Sequence, residues 1–187
     1  GALKTMAIAL SKMANDIRLM NGGPKAGLGE ITIPAKQNGS SIMPGKINPV
    51  IPEVLNQCCF GVIGNDMTVT MACEAGQLEL NAFEPVVFDR IYDSMNMLMN
   101  GVDTFIINCV KGIVANEDKC HDLLYNSTGF VTALCPVLGY KKSAEIAKDF
   151  LKNGTPIVEG ALAAGLTQEQ LDEMLNPDKL ARQFEKK

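Results

Sequence analysis

The chain has 187 residues, a net charge of −4, 47% hydrophobic and 5% aromatic residues, ten Met and no Trp. That length holds one domain or one and a half, and with so few aromatics the core must come from Leu, Ile, Val, Met and Ala, which favours packed helices over a β-sandwich. There is no basic run of five residues and no apolar run of membrane-spanning length, which argues against nucleic acid or membrane as partners.

Cysteines stand at 58, 59, 73, 109, 120 and 135, without any C-x-x-C spacing, and His121 is the sole histidine. A zinc site is therefore not expected, nor any other metal. Several of these cysteines fall on apolar faces, as reduced core thiols of a cytoplasmic protein do. No secretory signal is read at the front, so the Asn-x-Ser/Thr triplets at Asn38, Asn126 and Asn153 are taken as chance matches. Gly1-Ala2-Leu3 leads straight into a strong helix without Met or cap, and reads as the cut end of something longer with a residual tag residue.

Residues 3–20 place Leu3, Met6, Leu10, Met13, Ile17 and Met20 at alternating steps of 3 and 4, a heptad seam that predicts one helix of a bundle. Asn21-Gly22-Gly23-Pro24 ends it. Residues 22–38 are rich in Gly and Pro but match neither G-x-x-x-x-G-K-[ST] nor G-x-G-x-x-G, and are read as an irregular connector.

The next ten residues, Gly39-Ser40-Ser41-Ile42-Met43-Pro44-Gly45-Lys46-Ile47-Asn48, hold two hydroxyls, an ammonium and a carboxamide. Two glycines and a proline predict a loop. Pro49 and Pro52 suit the first turn of a following helix, with Asn48 as its N-cap. Lys46 and Asn48 then lie near a helix N-terminus, where a carboxylate is favoured. Taken singly, Ser40 and Ser41 are ordinary loop serines and Lys46 a solvated lysine.

A helix is predicted from there through Glu53 to about residue 70, with apolar rows Val54/Cys58/Val62 and Leu55/Cys59/Ile63, and a second piece at 68–76 is expected either to continue it or to kink from it. Residues 77–81 read as a turn or an extended link before Glu84-Pro85. Residues 86–110 carry Val87, Ile91, Met95, Leu98, Val102, Phe105 and Cys109 at helical spacing, a helix of about 38 Å that predicts an elongated bundle able to meet other subunits. From Asn116 the helices become short. Asn116, Thr155 and Asn176 are read as caps, Thr167 to Gln170 as a capping box, and Pro136 with Gly139 as breakers. The expected fold is all-α: part of a long central helical bundle over 1–115, with the loop 37–48, then a small all-helical domain over 116–187.

The ten-residue loop resembles, at every fixed position, the signature Gly-Ser-Ser-x-Met-Pro-x-Lys-x-Asn of the fumarase/aspartase superfamily, whose members split C–N or C–O bonds to form fumarate. The resemblance implies Ser40 as the base that takes a proton beside a carboxylate, Ser41, Lys46 and Asn48 as substrate-carboxylate binders, and Glu53 as the carboxylate that pairs with a histidine. His121 lies outside any family motif. The family's upstream Thr, Ser, Asn and His groups are not found, so the resemblance covers all of this chain but only the C-terminal part of the family's length. Residues 48–57 and Ala75-Gly76-Gln77-Leu78-Glu79-Leu80-Asn81 are similar to the aspartase branch. The implied reaction is elimination of ammonia from L-aspartate to give fumarate, without cofactor, in a homotetramer whose sites each draw on three subunits; the isolated 187 residues are expected to be inactive. The alternatives are hydration of fumarate to malate and, outside catalysis, a helical interaction module.

Overall fold

The structure is a computed structural model that describes residues 1–23, 25–39, 42, 43 and 45–181. It divides into two compact units, Gly1–Asn116 and Glu117–Lys187. The fold is all-α apart from one pair of two-residue strands.

The first unit is built on three helices: α1 (Ala2–Met20), α2 (Val50–Glu74) and α3 (Glu84–Asn108). Helix α2 packs against both others. The core joins Ala7, Ala14 and Ile17 of α1 to Leu55, Cys59 and Val62 of α2 and to Leu98 and Phe105 of α3. The heptad seam predicted for α1 holds in part: Ile17 is in the core and Leu3, Leu10 and Met20 pack against it, but Met6 and Met13 are 47% and 42% exposed, while Ala7 and Ala14 are fully buried. Alanine lets the α2 backbone come close, so Ala7 and Ala14 face the neighbour alongside Ile17, and Met6 and Met13 face out. The same shift occurs on α3, where Met95 is exposed and Ser94 and Gly101 are buried.

Helix α2 is one uninterrupted helix of 25 residues, so the piece expected at 68–76 continues the first without a kink. Its predicted rows narrow to Leu55, Cys59 and Val62, and Val54 is exposed. Helix α3 starts and stops two residues before its predicted limits, because Glu84 and Pro85 already form its first turn. Two buried asparagines on α2 are satisfied across the helix pairs. Asn56 Nδ2 donates to Ser11 O at 3.1 Å and to Ser11 Oγ at 2.9 Å. Asn65 Nδ2 donates to Asp93 Oδ2 at 3.0 Å and to Ser94 Oγ at 3.1 Å. Partnered buried amides fix the register of the helices they join, since sliding either one would leave them unpaired.

The connector expected to be irregular contains a strand: β1 (Ile31–Thr32) pairs antiparallel with β2 (Val114–Ala115). Asn116, expected as a helix cap, is drawn into this pairing. Its Nδ2 donates to Gly29 O at 2.8 Å, and its Oδ1 accepts from Thr32 Oγ1 at 3.0 Å. A tertiary partner has outcompeted the cap.

The second unit holds α4 (Glu117–Tyr125), α5 (Cys135–Asn153), α6 (Ile157–Ala163), α7 (Gln168–Met174) and α8 (Pro177–Ala181), with a 3-10 helix at Thr128–Leu134. Gly139, with φ at +75°, interrupts α5, whereas Pro136 sits in its first turn and breaks nothing. The core gathers Phe130, Leu134, Ile146, Ile157, Leu171 and Leu175. The capping box at α7 is complete: Gln170 N donates to Thr167 Oγ1 at 3.3 Å and Thr167 N to Gln170 Oε1 at 2.9 Å. Asn176 Oδ1 caps α8 by accepting from Asp178 N and Lys179 N. Thr155 does not cap α6, which starts from Pro156 without a side-chain cap; its hydroxyl bonds Asp149 instead and holds that carboxyl below its usual range.

Candidate active site

The loop that carries the signature is pinned shut at its base. Asn38 and Ile47 form an isolated antiparallel bridge. Gly39 N donates to Lys46 O at 2.6 Å, and Lys46 N to Met43 O at 3.3 Å. Only glycine fits at 39: a Cβ there would lie 2.8 Å from Lys46 O and 2.9 Å from Asn48 Oδ1. Gly45 turns the chain with φ at +81°, a conformation that costs glycine little. Lys46 and Asn48 flank the bridged Ile47, so their side chains leave the extended backbone on the same face.

Asn48 is not the predicted N-cap. Helix α2 begins from Pro49 without a side-chain cap, and Asn48 Nδ2 donates to Gly39 O at 3.4 Å. One Nδ2 hydrogen closes the loop in place of a cap, because Pro52 has no N–H to offer Oδ1 and Pro49 occupies the cap position, and the amide keeps a second hydrogen that this bond does not use. Lys46 is exposed, and its ammonium forms no ion pair among the described residues. A cation held on a closed loop without a carboxylate partner is available to an anion from outside. Ser40 and Ser41 lie outside the described residues.

Glu53 sits in the first turn of α2, where the helix end favours a negative charge, and its N–H donates to Pro49 O at 3.2 Å. Its carboxylate meets Arg18 of α1: Nη2 lies 3.5 Å from Oε1. Arg18 Nη1 also reaches Asn15 Oδ1 at 3.2 Å and Asn56 Oδ1 at 3.5 Å. The Arg18 Nε–H is buried and finds no acceptor among the described residues. The structure therefore describes three of the five sequence-predicted site residues: Lys46 and Asn48 on the loop and Glu53 on α2. Sequence reasoning did not find Arg18 or Asn56. Periodicity marks Arg18 only as a polar neighbour of Ile17, and its partners lie on another helix.

His121 is exposed on α4, stacked on Tyr125 at 4.1 Å between ring centroids. Among the described residues no three His, Cys, Asp or Glu side chains group closely enough to hold a metal ion, and no helix is long and apolar enough to cross a membrane. All six cysteines are free, and burial pushes the Cys59 and Cys109 thiols up. The second unit has a cavity of about 660 Å³ walled by Phe130, Val137, Met174 and Leu180, with none of the predicted site residues in its lining.

Residues 1–64 match a family described as Lyase, and residues 130–182 match Fumarase C C-terminus. The aspartate ammonia-lyase of Helicobacter pylori is 54% identical over 96% of this chain, and that of Escherichia coli K12 is 47% identical over the same share. This chain spans 39% and 38% of the length of those two relatives. Among solved structures, a fumarate lyase:delta crystallin from Brucella melitensis bound to cobalt superposes with a TM-score of 0.90 at 51% identity, covering 96% of this chain and 39% of that one. A class II fumarase from Schistosoma mansoni superposes with a TM-score of 0.89 at 34% identity, over 100% of this chain and 39% of that one.

Proposed function

We propose that this chain, which belongs to the fumarase/aspartase superfamily, is the C-terminal part of an enzyme that eliminates ammonia from L-aspartate to give fumarate. The observation that carries the reading is the 54% identity to an aspartate ammonia-lyase along nearly the whole chain, signature loop included. Ser40, acting as an alkoxide whose charge the Lys46 ammonium favours, takes a proton from the carbon next to the side-chain carboxylate and becomes the neutral hydroxyl. The electrons of that C–H bond move into the carboxylate, which gains a second negative charge. They then return to form the C=C bond as the C–N bond breaks and ammonia departs. Lys46 and Asn48 act where the charge builds, so they bind the intermediate more tightly than the substrate. Ser41 holds the substrate's other carboxylate. Glu53 orients a histidine that comes from outside these residues, and with it missing the 187-residue chain alone is inactive.

The same reading divides the chain into a central-bundle part, 1–115, and a small domain, 116–187. It places the enzyme in the cytoplasm, a setting that suits its six free cysteines, as a homotetramer with no nucleic acid or membrane partner. Its substrate is a small dicarboxylic acid, and no cofactor enters the scheme. The test is the full-length enzyme assayed with L-aspartate, with fumarate followed by its ultraviolet absorbance. Turnover is expected, and Ser40→Ala should reduce it by orders of magnitude. A second reading, hydration of fumarate to malate, is favoured by the likeness to the Schistosoma fumarase. Faster turnover of malate than of aspartate would select it. Unchanged turnover in Ser40→Ala would remove both and leave a helical interaction module.

A further inference from the structure

We propose that Arg18 is a positioning residue for the Glu53 carboxylate, setting the rotamer in which Glu53 meets the histidine; this rests on the role given to Glu53 above. The amide of Asn56 is buried, at 3% exposure. Its Nδ2 faces two acceptors on Ser11, the carbonyl and the hydroxyl. An amide can satisfy two acceptors only with its NH₂ side, so its Oδ1 must point the other way, where it receives Arg18 Nη1. Asn15, one turn earlier on α1, receives the same Nη1. The guanidinium is thus aimed from both helices before Glu53 is counted, and the planar fork then presents Nη2 to Glu53 Oε1.

The contact engages one carboxylate oxygen. Oε2 receives no hydrogen bond among the described residues and is open to an imidazole N–H. A glutamate with three free torsions loses much rotamer freedom on docking a partner, and an anchor on the far oxygen removes part of that loss in advance. As a purely structural contact the pair would matter little, because both side chains are more than a third exposed and ion pairs at such sites add little stability.

The experiment is a double-mutant cycle in the full-length enzyme, reading kcat and KM for L-aspartate in Arg18→Met, Glu53→Gln and the double variant. Arg18→Met should lower kcat by about tenfold to a hundredfold with KM within about threefold, and the double variant should match Glu53→Gln within about twofold. Arg18→Lys, which keeps the charge without the fork, should recover part of the loss. If Arg18→Met does not fold, the same cycle is run with Arg18→Lys. Losses that multiply in the double variant, or an Arg18 variant at full kcat while Glu53→Gln is impaired, overturn the role of Arg18 alone. Full activity in Glu53→Gln would instead remove the reading of Glu53, and Arg18's role with it.

Discussion

In Gly1–Asn116, helices of 19 to 25 residues bury one face and leave large apolar side chains on another, among them Phe60, Met67, Phe88, Tyr92 and Met99, each more than half exposed. In Glu117–Lys187, helices of five to 19 residues turn back on themselves around Leu134, Ile157 and Leu171, and far fewer large apolar groups are left outside. The short-helix unit covers most of its own hydrophobic surface, with Val137, Tyr140 and Leu151 more than half exposed. The long-helix unit has more apolar surface than three helices can cover, and it also carries the signature loop, whose Lys46 forms no ion pair among the described residues. Apolar faces of this extent mark places where other protein packs. Exposed apolar faces and the signature loop thus fall in the same unit, which fits the proposal of a site shared between subunits.

The sharpest way to break that pairing is at Lys46. Under the proposed function, Lys46→Met in the full-length enzyme should lower kcat/KM for aspartate by about 10³ or more, since the ammonium would act on charge that exists only in the transition state. Its far-ultraviolet circular dichroism should match the parent, because Lys46 is exposed and has no ion-pair partner among the described residues. A variant that keeps activity would leave the loop as a structural turn. Next comes assembly. The 187-residue chain should sediment as an oligomer at micromolar concentration, and Phe88→Glu together with Met99→Glu should shift it to monomer. Residues 117–187 on their own should sediment as a monomer. The opposite pattern would place the association surface in the short-helix unit.

What the sequence discloses follows from how local each signal is. The loop is legible because its glycines, proline and polar side chains act within ten residues, and the α7 capping box is legible because Thr167 and Gln170 satisfy each other across a single turn. The helices themselves follow from their period. Which face of α1 is buried does not, because periodicity ranks Met6 above Ala7, while close packing against α2 selects the alanine. Asn48 and Asn116 look like caps to a local reading and serve as tertiary ties in the structure. Arg18 is silent in sequence for the same reason: Glu53 and Asn56 come to it from 35 and 38 residues away.

Stability measurements sharpen the contrast further. Leu134→Ala, in the core of the short-helix unit, should cost about 3 kcal/mol whether measured in the whole chain or in residues 117–187 alone, because its cavity is walled by that unit. Leu55→Ala is equally buried and should cost a similar amount, with a concentration dependence if burial in the long-helix unit is coupled to assembly. Asn56→Ala should cost about 1–3 kcal/mol, since Ser11 loses a partner and the Arg18 Nη1 donor loses an acceptor.

The smallest effect belongs to the capping box. Thr167→Ala removes the acceptor for Gln170 N and frees the Gln170 side chain that reaches back to Thr167 N. Both groups are exposed, so water replaces part of what is lost and the cost should be about 1 kcal/mol by chemical denaturation. Helix α7 carries buried Leu171 against Ile157 and Leu134, so a frayed first turn loosens the core of its own unit and of no other. The loss should therefore be fully present in residues 117–187 alone, at any protein concentration. A loss that appears only in the full chain, or that vanishes as concentration rises, would show that the short-helix unit also depends on assembly, and the division between a self-sufficient unit and an incomplete one would fall.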